Sequence, residues 1–210
     1  MYLGLNNKKA LVTGGSKGIG REITKILRNE GALVDIISRT SGIIMDLEKE
    51  LPKKLEYEIL INNFGGGGSW GDNFEEFNEW NKVYQKNAGI AIKLTQMALN
   101  YMKKVGYGRI ITISSIYGKE KGEKPWFVMA KANEIALNKC LAGKYPGITF
   151  NTICPGFIDT GKLFDYPKET CIKPGEPKDV ANLVVFLCSE RANYINGACI
   201  TVDGGQSHSF

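Results

Sequence analysis

The chain has 210 residues, 43% of them hydrophobic and 23% charged, enough for one globular domain with a sizeable core. Its net charge of +5 is mild, and its lysines are scattered (Lys8 and Lys9, Lys53 and Lys54, Lys103 and Lys104) without aromatic interleaving, which argues for solvated surface and against nucleic-acid binding. Cys140, Cys154, Cys171, Cys188 and Cys199 lack C-x-x-C spacing and read as reduced thiols of a cytoplasmic protein. No apolar run approaches the roughly 20 residues of a membrane span, and no signal peptide precedes the first strand.

Strand and helix signals alternate along the chain. Ala10 to Thr13 is a short buried-strand run closed by glycines. From Ile19 to Asn29 the residues Ile19, Ile23, Ile26 and Leu27 keep helical spacing, and Gly31 is a natural stop. Ala32 to Ile37, Ile43 to Met45 and Ile59 to Ile61 are strand candidates. A long helix is expected over about 75–104, then a strand over Arg109 to Ile113, a helix over about 127–144 and a strand over Ile148 to Ile153. Pro177 opens a further helix, and Ala198 to Val202 forms the last strand. The alternation predicts an α/β fold, a doubly wound parallel sheet with helices on both faces, in a single domain of residues 1–210.

Between the first strand and first helix stands Thr13-Gly14-Gly15-Ser16-Lys17-Gly18-Ile19-Gly20. The backbone there must turn tightly and approach a pyrophosphate, which glycine permits, while the helix N-terminus offers unpaired N–H groups to the phosphates. This points to a dinucleotide site. The spacing Gly14-x3-Gly18-x-Gly20 departs from G-x-G-x-x-G.

Thr-Gly-x3-Gly-x-Gly, Asn62-Asn63-Phe64-Gly65, Asn87, Ser114-Ser115, Lys131, Pro155-Gly156 and Asp203-Gly204-Gly205 occur in one order over about 7–205. This chain thereby resembles the short-chain dehydrogenases/reductases, Rossmann-like oxidoreductases. The resemblance implies cofactor contacts from Gly14, Ser16, Lys17, Gly18, Ile19, Gly20, Ser38, Arg39, Asp46, Leu47, Asn63, Phe64, Gly65, Lys131, Pro155, Gly156, Ile158 and Thr160. Asp46 would meet the adenine amino group, with Leu47 beside the ring. At the end of the second strand, where an NAD enzyme of this type carries a carboxylate, stands Ser38, followed by Arg39; Lys17 adds a second cation. Two cations and no carboxylate suit the 2′-phosphate of NADP(H). No metal site is expected.

Two departures surround this pocket. Only about twenty residues separate Arg39 from the Ile59 strand, so the helix after the second strand is expected to be missing and the adenosine end more exposed. Phe64 replaces the family's alanine and leads into Gly65-Gly66-Gly67-Gly68, read as a flexible substrate-side loop ending at Trp70, a pocket wall or an ordinary packing residue. The segment from Lys162 to Pro174 is shorter than the family's usual lid, which suggests an open cleft for a bulky or carrier-linked substrate, such as a sugar derivative or an acyl thioester.

The catalytic set implied by the resemblance is Asn87, Ser115, a tyrosine and Lys131, in which the tyrosine hydroxyl protonates the carbonyl oxygen while the lysine lowers its pKa and holds the nicotinamide ribose. Four residues before Lys131, and twelve after Ser115, stands Phe127. Tyr117-Gly-Lys-Glu-Lys121 also matches Tyr-x-x-x-Lys, but its glycine places it in a loop, where its tyrosine and lysine do not share a helix face. Phe127 reads as an engineered Tyr→Phe change or a natural variant with residual chemistry. The alternative is a catalytically silent NADP(H)-binding sensor or partner subunit. Apolar residues along the long helix (Phe77, Trp80, Val83, Tyr84, Ile90, Ile92, Leu94 and Met97) exceed what one sheet face can cover, and the resemblance, in which this helix and the Lys131 helix pair with their copies in a second subunit, implies a homodimer or homotetramer and a small-molecule carbonyl or alcohol substrate.

Overall fold

A computed structural model describes residues 3–66, 74, 77–161 and 173–209, leaving the side chains of 77 and 78 aside. Seven parallel strands form one sheet: β1 (Lys9–Thr13), β2 (Leu33–Ser38), β3 (Ile43–Ile44), β4 (Ile59–Asn62), β5 (Gly108–Ile113), β6 (Ile148–Pro155) and β7 (Cys199–Val202). Their order is β3-β2-β1-β4-β5-β6-β7, so the chain winds outward from β1 in one direction and then from β4 in the other. Parallel strands need crossovers, and the helices that supply them cover both faces. They are α1 (Gly18–Asn29), α2 (Phe77–Tyr84), α3 (Ile90–Val105), α4 (Pro125–Leu141) and α5 (Pro177–Cys188).

The period-two alternation of the strands divides the core into two layers. Ala10 and Val12 of β1, with Ile59 and Ile61 of β4, pack against Ile23 and Leu27 of α1 and Val180 and Val184 of α5. Leu11 and Leu60, one position out of phase, join Ile110 and Phe150 against Leu94, Ala98 and Met102 of α3. α3 ends at Gly106, whose φ of +67° is the left-handed conformation that stops a helix.

The single long helix expected over 75–104 is instead two helices separated by a π-helical turn, Gln85–Gly89. Asn87 supplies the reason: its Nδ2 donates to the Val83 carbonyl at 3.0 Å, the acceptor that an α-helix gives to its own backbone N–H. Asn87 is thereby turned inward and buried.

No helix lies between β2 and β4 among the described residues; β3 has two residues and the chain from Met45 to Glu58 is irregular. Ile44 is 71% exposed on this edge. A cleft of about 770 Å³ between this irregular segment and the π turn is lined by Leu47, Leu51, Gln85, Ile90 and Lys93. Cys140, Cys154, Cys188 and Cys199 are free thiols. Gly67, Gly68, Trp70, Cys171 and nearly all of the expected lid (162–172) lie outside the described residues.

Leu94 docks α3 on the sheet with no exposed surface. Leu94→Ala is expected to lower the unfolding free energy by about 2 to 5 kcal/mol. Urea denaturation measures it, with a slope unchanged from the parent protein.

Candidate active site

Directly after β1 the chain turns through Gly14 (φ +65°) and enters α1 at Gly18 (φ +51°). A Cβ on Gly20 would stand 2.5 Å from the Gly14 carbonyl oxygen and 2.5 Å from Asn63 Nδ2, so this position holds only glycine. Lys17, the N-cap, makes no side-chain hydrogen bond to the helix end, and the first turn of α1 carries no acidic residue. The result is an open cradle of backbone N–H groups at a positive helix end, which fits a pyrophosphate. Ile19 leans into the core below it, Ser16 stays half-buried, and the Thr160 methyl closes over Gly18, 3.0 Å from where its Cβ would be.

The crevice opens where β1 and β4 part. Asn63 Nδ2 donates to the Thr13 carbonyl at 2.9 Å and to the Gly14 carbonyl at 3.3 Å. In return, Thr13 Oγ1 accepts from the backbone N–H groups of Asn63 (3.0 Å) and Phe64 (2.9 Å). Phe64 packs its ring on the α3-side core, and Gly65 carries the chain over Asn87. Asn87 Oδ1 accepts from the Gly66 N–H at 2.9 Å, so both ends of this amide are engaged by backbone.

Around the far end of the dinucleotide path, Ser38 is buried and its hydroxyl organises a turn, donating to Ser41 O at 2.7 Å and accepting from the Thr40 and Ser41 N–H groups. Arg39 and Lys17 are exposed. Asp46 is half-buried and accepts from the Glu48 N–H. Leu47 differs from the expected ring wall: only 4% exposed, its side chain belongs to the core with Ile37, Leu55 and Leu60. On the other wall, β6 ends at Pro155. Gly156 leaves no room for a side chain, since its Cβ would lie 2.7 Å from Asp203 Cβ and 3.0 Å from Asp203 Cα, and Ile158 bridges to Gly175.

Ser115 follows β5 in extended backbone, and its Oγ accepts from Tyr117 N at 3.3 Å. Tyr117 lies in the short 3₁₀ turn Ile116–Gly118 and not on a helix with Lys121, and burial pushes its phenol above the ordinary value. α4 carries Phe127 and Lys131 one turn apart, with Lys131 Nζ 5.7 Å from the centre of the Phe127 ring. Phe127 also touches the buried cluster of Val83, Trp126 and Ala130, at the junction of α2 and α4. Lys131 Nζ would be 3.6 Å from a Cβ on Gly65, so the ammonium reaches the same crevice.

One residue of this site carries no signal in the family pattern. Glu134, three residues after Lys131, is 2% exposed and its two carboxylate oxygens accept from Lys131 Nζ at 3.1 and 3.0 Å. Lys131 Nζ also donates to the Ile113 carbonyl at 3.1 Å. Ser114 fixes the same turn by donating to the Lys131 carbonyl at 2.8 Å. In the sequence Glu134 reads as an ordinary helical glutamate; only the packing of α4 on β5 and β6 makes it a buried one.

Comparison with known proteins gives a consistent outcome. A family model described as enoyl-(acyl carrier protein) reductase matches residues 49–207. The 3-oxoacyl-(acyl-carrier-protein) reductase FabG of Buchnera aphidicola subsp. Schizaphis graminum is 33% identical over 242 residues, covering 96% of this chain and 98% of the relative. The acetoacetyl-CoA reductase of Rhizobium meliloti is 33% identical, covering 95% and 98%. Both alignments run longer than the 210 residues of the chain, so these relatives contain segments that it lacks. Among solved structures, the ligand-free aldohexose dehydrogenase of Thermoplasma acidophilum superposes with a TM-score of 0.83 at 27% identity, covering 96% of this chain and 94% of that one.

Burial raises the Glu134 carboxyl from 4.5 to about 7, outweighing the opposite pull of Lys131. Between those values the folded chain holds a proton that the unfolded chain has released. The contribution of this group is therefore fully present below about pH 4.5 and is lost as pH rises to about 7. The melting temperature of the parent protein relative to Glu134→Gln is expected to fall between pH 5 and pH 7. A difference that does not change with pH rejects a raised carboxyl.

Proposed function

The chain belongs to the short-chain dehydrogenase/reductase family of oxidoreductases, and on that premise we propose that it is a single-domain, NADP(H)-dependent reductase of carbonyl groups, impaired by Phe127. The observation that carries this reading is the convergence of the glycine cradle, Gly65, Asn87 and Lys131 on one crevice at the carboxyl ends of β1 and β4. That is the place where doubly wound sheets bind dinucleotides. When bound, the cofactor supplies the hydride to the substrate carbonyl.

The chain's own groups have separable roles in this proposal. The N–H groups at the start of α1 bind the pyrophosphate, and Lys17 and Arg39 face the 2′-phosphate, with no carboxylate at Ser38 to repel it. Ser115 hydrogen-bonds the substrate oxygen. Asn87 holds the Gly66 backbone at the edge of the crevice. Phe127 offers no proton, so the alkoxide must take one from water, at a cost of about 10² to 10⁴ in rate. The names of the relatives support a carrier-linked 3-oxoacyl thioester as the substrate class. We place the protein in the cytoplasm, where free thiols persist; among the described residues no helix is long and apolar enough to cross a membrane. The half-buried Trp80, Tyr84, Ile92 and Met97 and the exposed Met129 on α4 support a two-fold homodimer or homotetramer.

A second reading, a catalytically silent NADP(H) sensor or partner subunit, draws support from the ammonium of Lys131 being held within the protein by Glu134 and the Ile113 carbonyl. The two readings part in one assay, NADPH oxidation with acetoacetyl-CoA by the parent protein and by Phe127→Tyr. A rise of about 10² or more on restoring the hydroxyl is expected. NADPH binding without turnover in either form overturns the reductase in favour of the sensor. For the cofactor, NADPH is expected to bind at least about tenfold more tightly than NADH, from charge-assisted contacts of roughly 1.5 to 3 kcal/mol. Arg39→Ala should reduce that preference; equal affinities in the parent protein reject it.

A further inference from the structure

Lys131 and Glu134 are the buried ion pair of α4, with side chains 5% and 2% exposed. Burying two charges costs more than their attraction returns unless the geometry is nearly complete, so a carboxylate here needs a reason beyond stability. The lysine is held from two sides, by both Glu134 oxygens at 3.1 and 3.0 Å and by the Ile113 carbonyl at 3.1 Å. These contacts draw the ammonium toward β5, although it lies at the crevice wall, close to Gly65 and the Phe127 ring. The residue that the family pattern assigns to the ribose hydroxyls is held by an acid that the pattern does not contain.

We propose that Glu134 is a positioning residue of the dinucleotide crevice: as a carboxylate it holds Lys131 against the Ile113 carbonyl, and when neutral it lets the ammonium turn to the ribose hydroxyls. The inference rests on the dinucleotide reading above and adds to it a built-in control of cofactor affinity. Losing a full charge from the partner leaves Lys131 with one weakened contact to Glu134, so a ribose diol becomes a competitive acceptor.

The surroundings leave this pair as the titrating element. Lys131 is the charged group that acts on Glu134. Ser114 and the Ile113 carbonyl reach the pair from the end of β5 and do not titrate, nor does the Asn87 amide from the π turn. Tyr117, on the 3₁₀ turn beside α4, is kept neutral by burial. Cys154 on β6 is kept neutral by its Cys199 neighbour and by burial; the hydrogen bond with Cys154 lowers the Cys199 thiol to about 7, but neither cysteine is among the groups acting on Glu134. Glu79 and Lys82 of α2 are not among the groups acting on Glu134, and Lys86 of the π turn pairs with Glu48. Since the carboxyl titrates near pH 7, the control falls within the ordinary range of pH: Lys131 is held above it and released below it.

The test is calorimetric titration of NADPH and NADH into the parent protein, Glu134→Gln and Glu134→Leu at pH 6 and pH 8, with folding checked by circular dichroism. At pH 8 both variants are expected to bind NADPH at least about threefold more tightly than the parent, with the gap closing at pH 6. Weaker binding by both variants at both pH values is the mark of a merely structural counter-ion and overturns the inference. Equal affinities throughout overturn it too, while leaving the dinucleotide site standing. No binding of either nucleotide by any form removes the dinucleotide reading and the inference with it. If neither variant folds, the parent protein decides: its affinity for NADH, which lacks the titrating 2′-phosphate, must rise from pH 8 to pH 6, and a flat or falling affinity overturns the inference.

Discussion

Everything at this site hangs on the tie between the ends of β1 and β4. The two strands are neighbours in register from Ala10 and Ile59 to Val12 and Ile61, and beyond that point the connections leave to opposite faces. Thr13 and Asn63 hold the parting strands together by five hydrogen bonds, in which one hydroxyl accepts twice and donates to the Ile61 carbonyl and one amide donates twice. Each group is polar and buried or half-buried, so each would be costly if left unpaired. The glycine turn sits on one side of this tie and Gly65 on the other. The crevice therefore follows from topology, and its width is set by two short side chains.

Most of the architecture was legible in the sequence because its signals are local. A parallel strand buried on both faces reads as a continuous apolar run, and Ile59-Leu60-Ile61 and Arg109 to Ile113 fall where such runs predict them. The loss of a helix after β2 could be counted from the short distance between Arg39 and Ile59. What the sequence hid depends on side chains meeting across elements. The π turn is written in no periodicity; it exists because Asn87 takes the Val83 carbonyl for its own amide. Leu47 was expected beside an adenine ring because of its place after Asp46, but without the missing helix the core claims it. Glu134 lies between Lys131 and Asn138 on a buried helix face that is largely polar, and its burial becomes visible only when α4 is laid on β5 and β6.

Phe127 and Glu134 make sense together in a way that neither does alone. In a Tyr-x-x-x-Lys pair the lysine's positive charge stabilises the phenolate. A carboxylate bonded to that lysine by both oxygens cancels most of this field at close range. A phenol placed at 127 would then face a neutral pair, and its pKa would stay high wherever Glu134 is charged. A hydroxyl restored there could still donate its proton, but with less help from the lysine than in a pair without the carboxylate. An isolated Tyr→Phe change explains the ring at 127 and leaves the buried glutamate unaccounted for. Under the positioning role proposed for Glu134, the ring at 127 and the buried glutamate belong to one site, in which the charge on the acid governs how the lysine meets a cofactor.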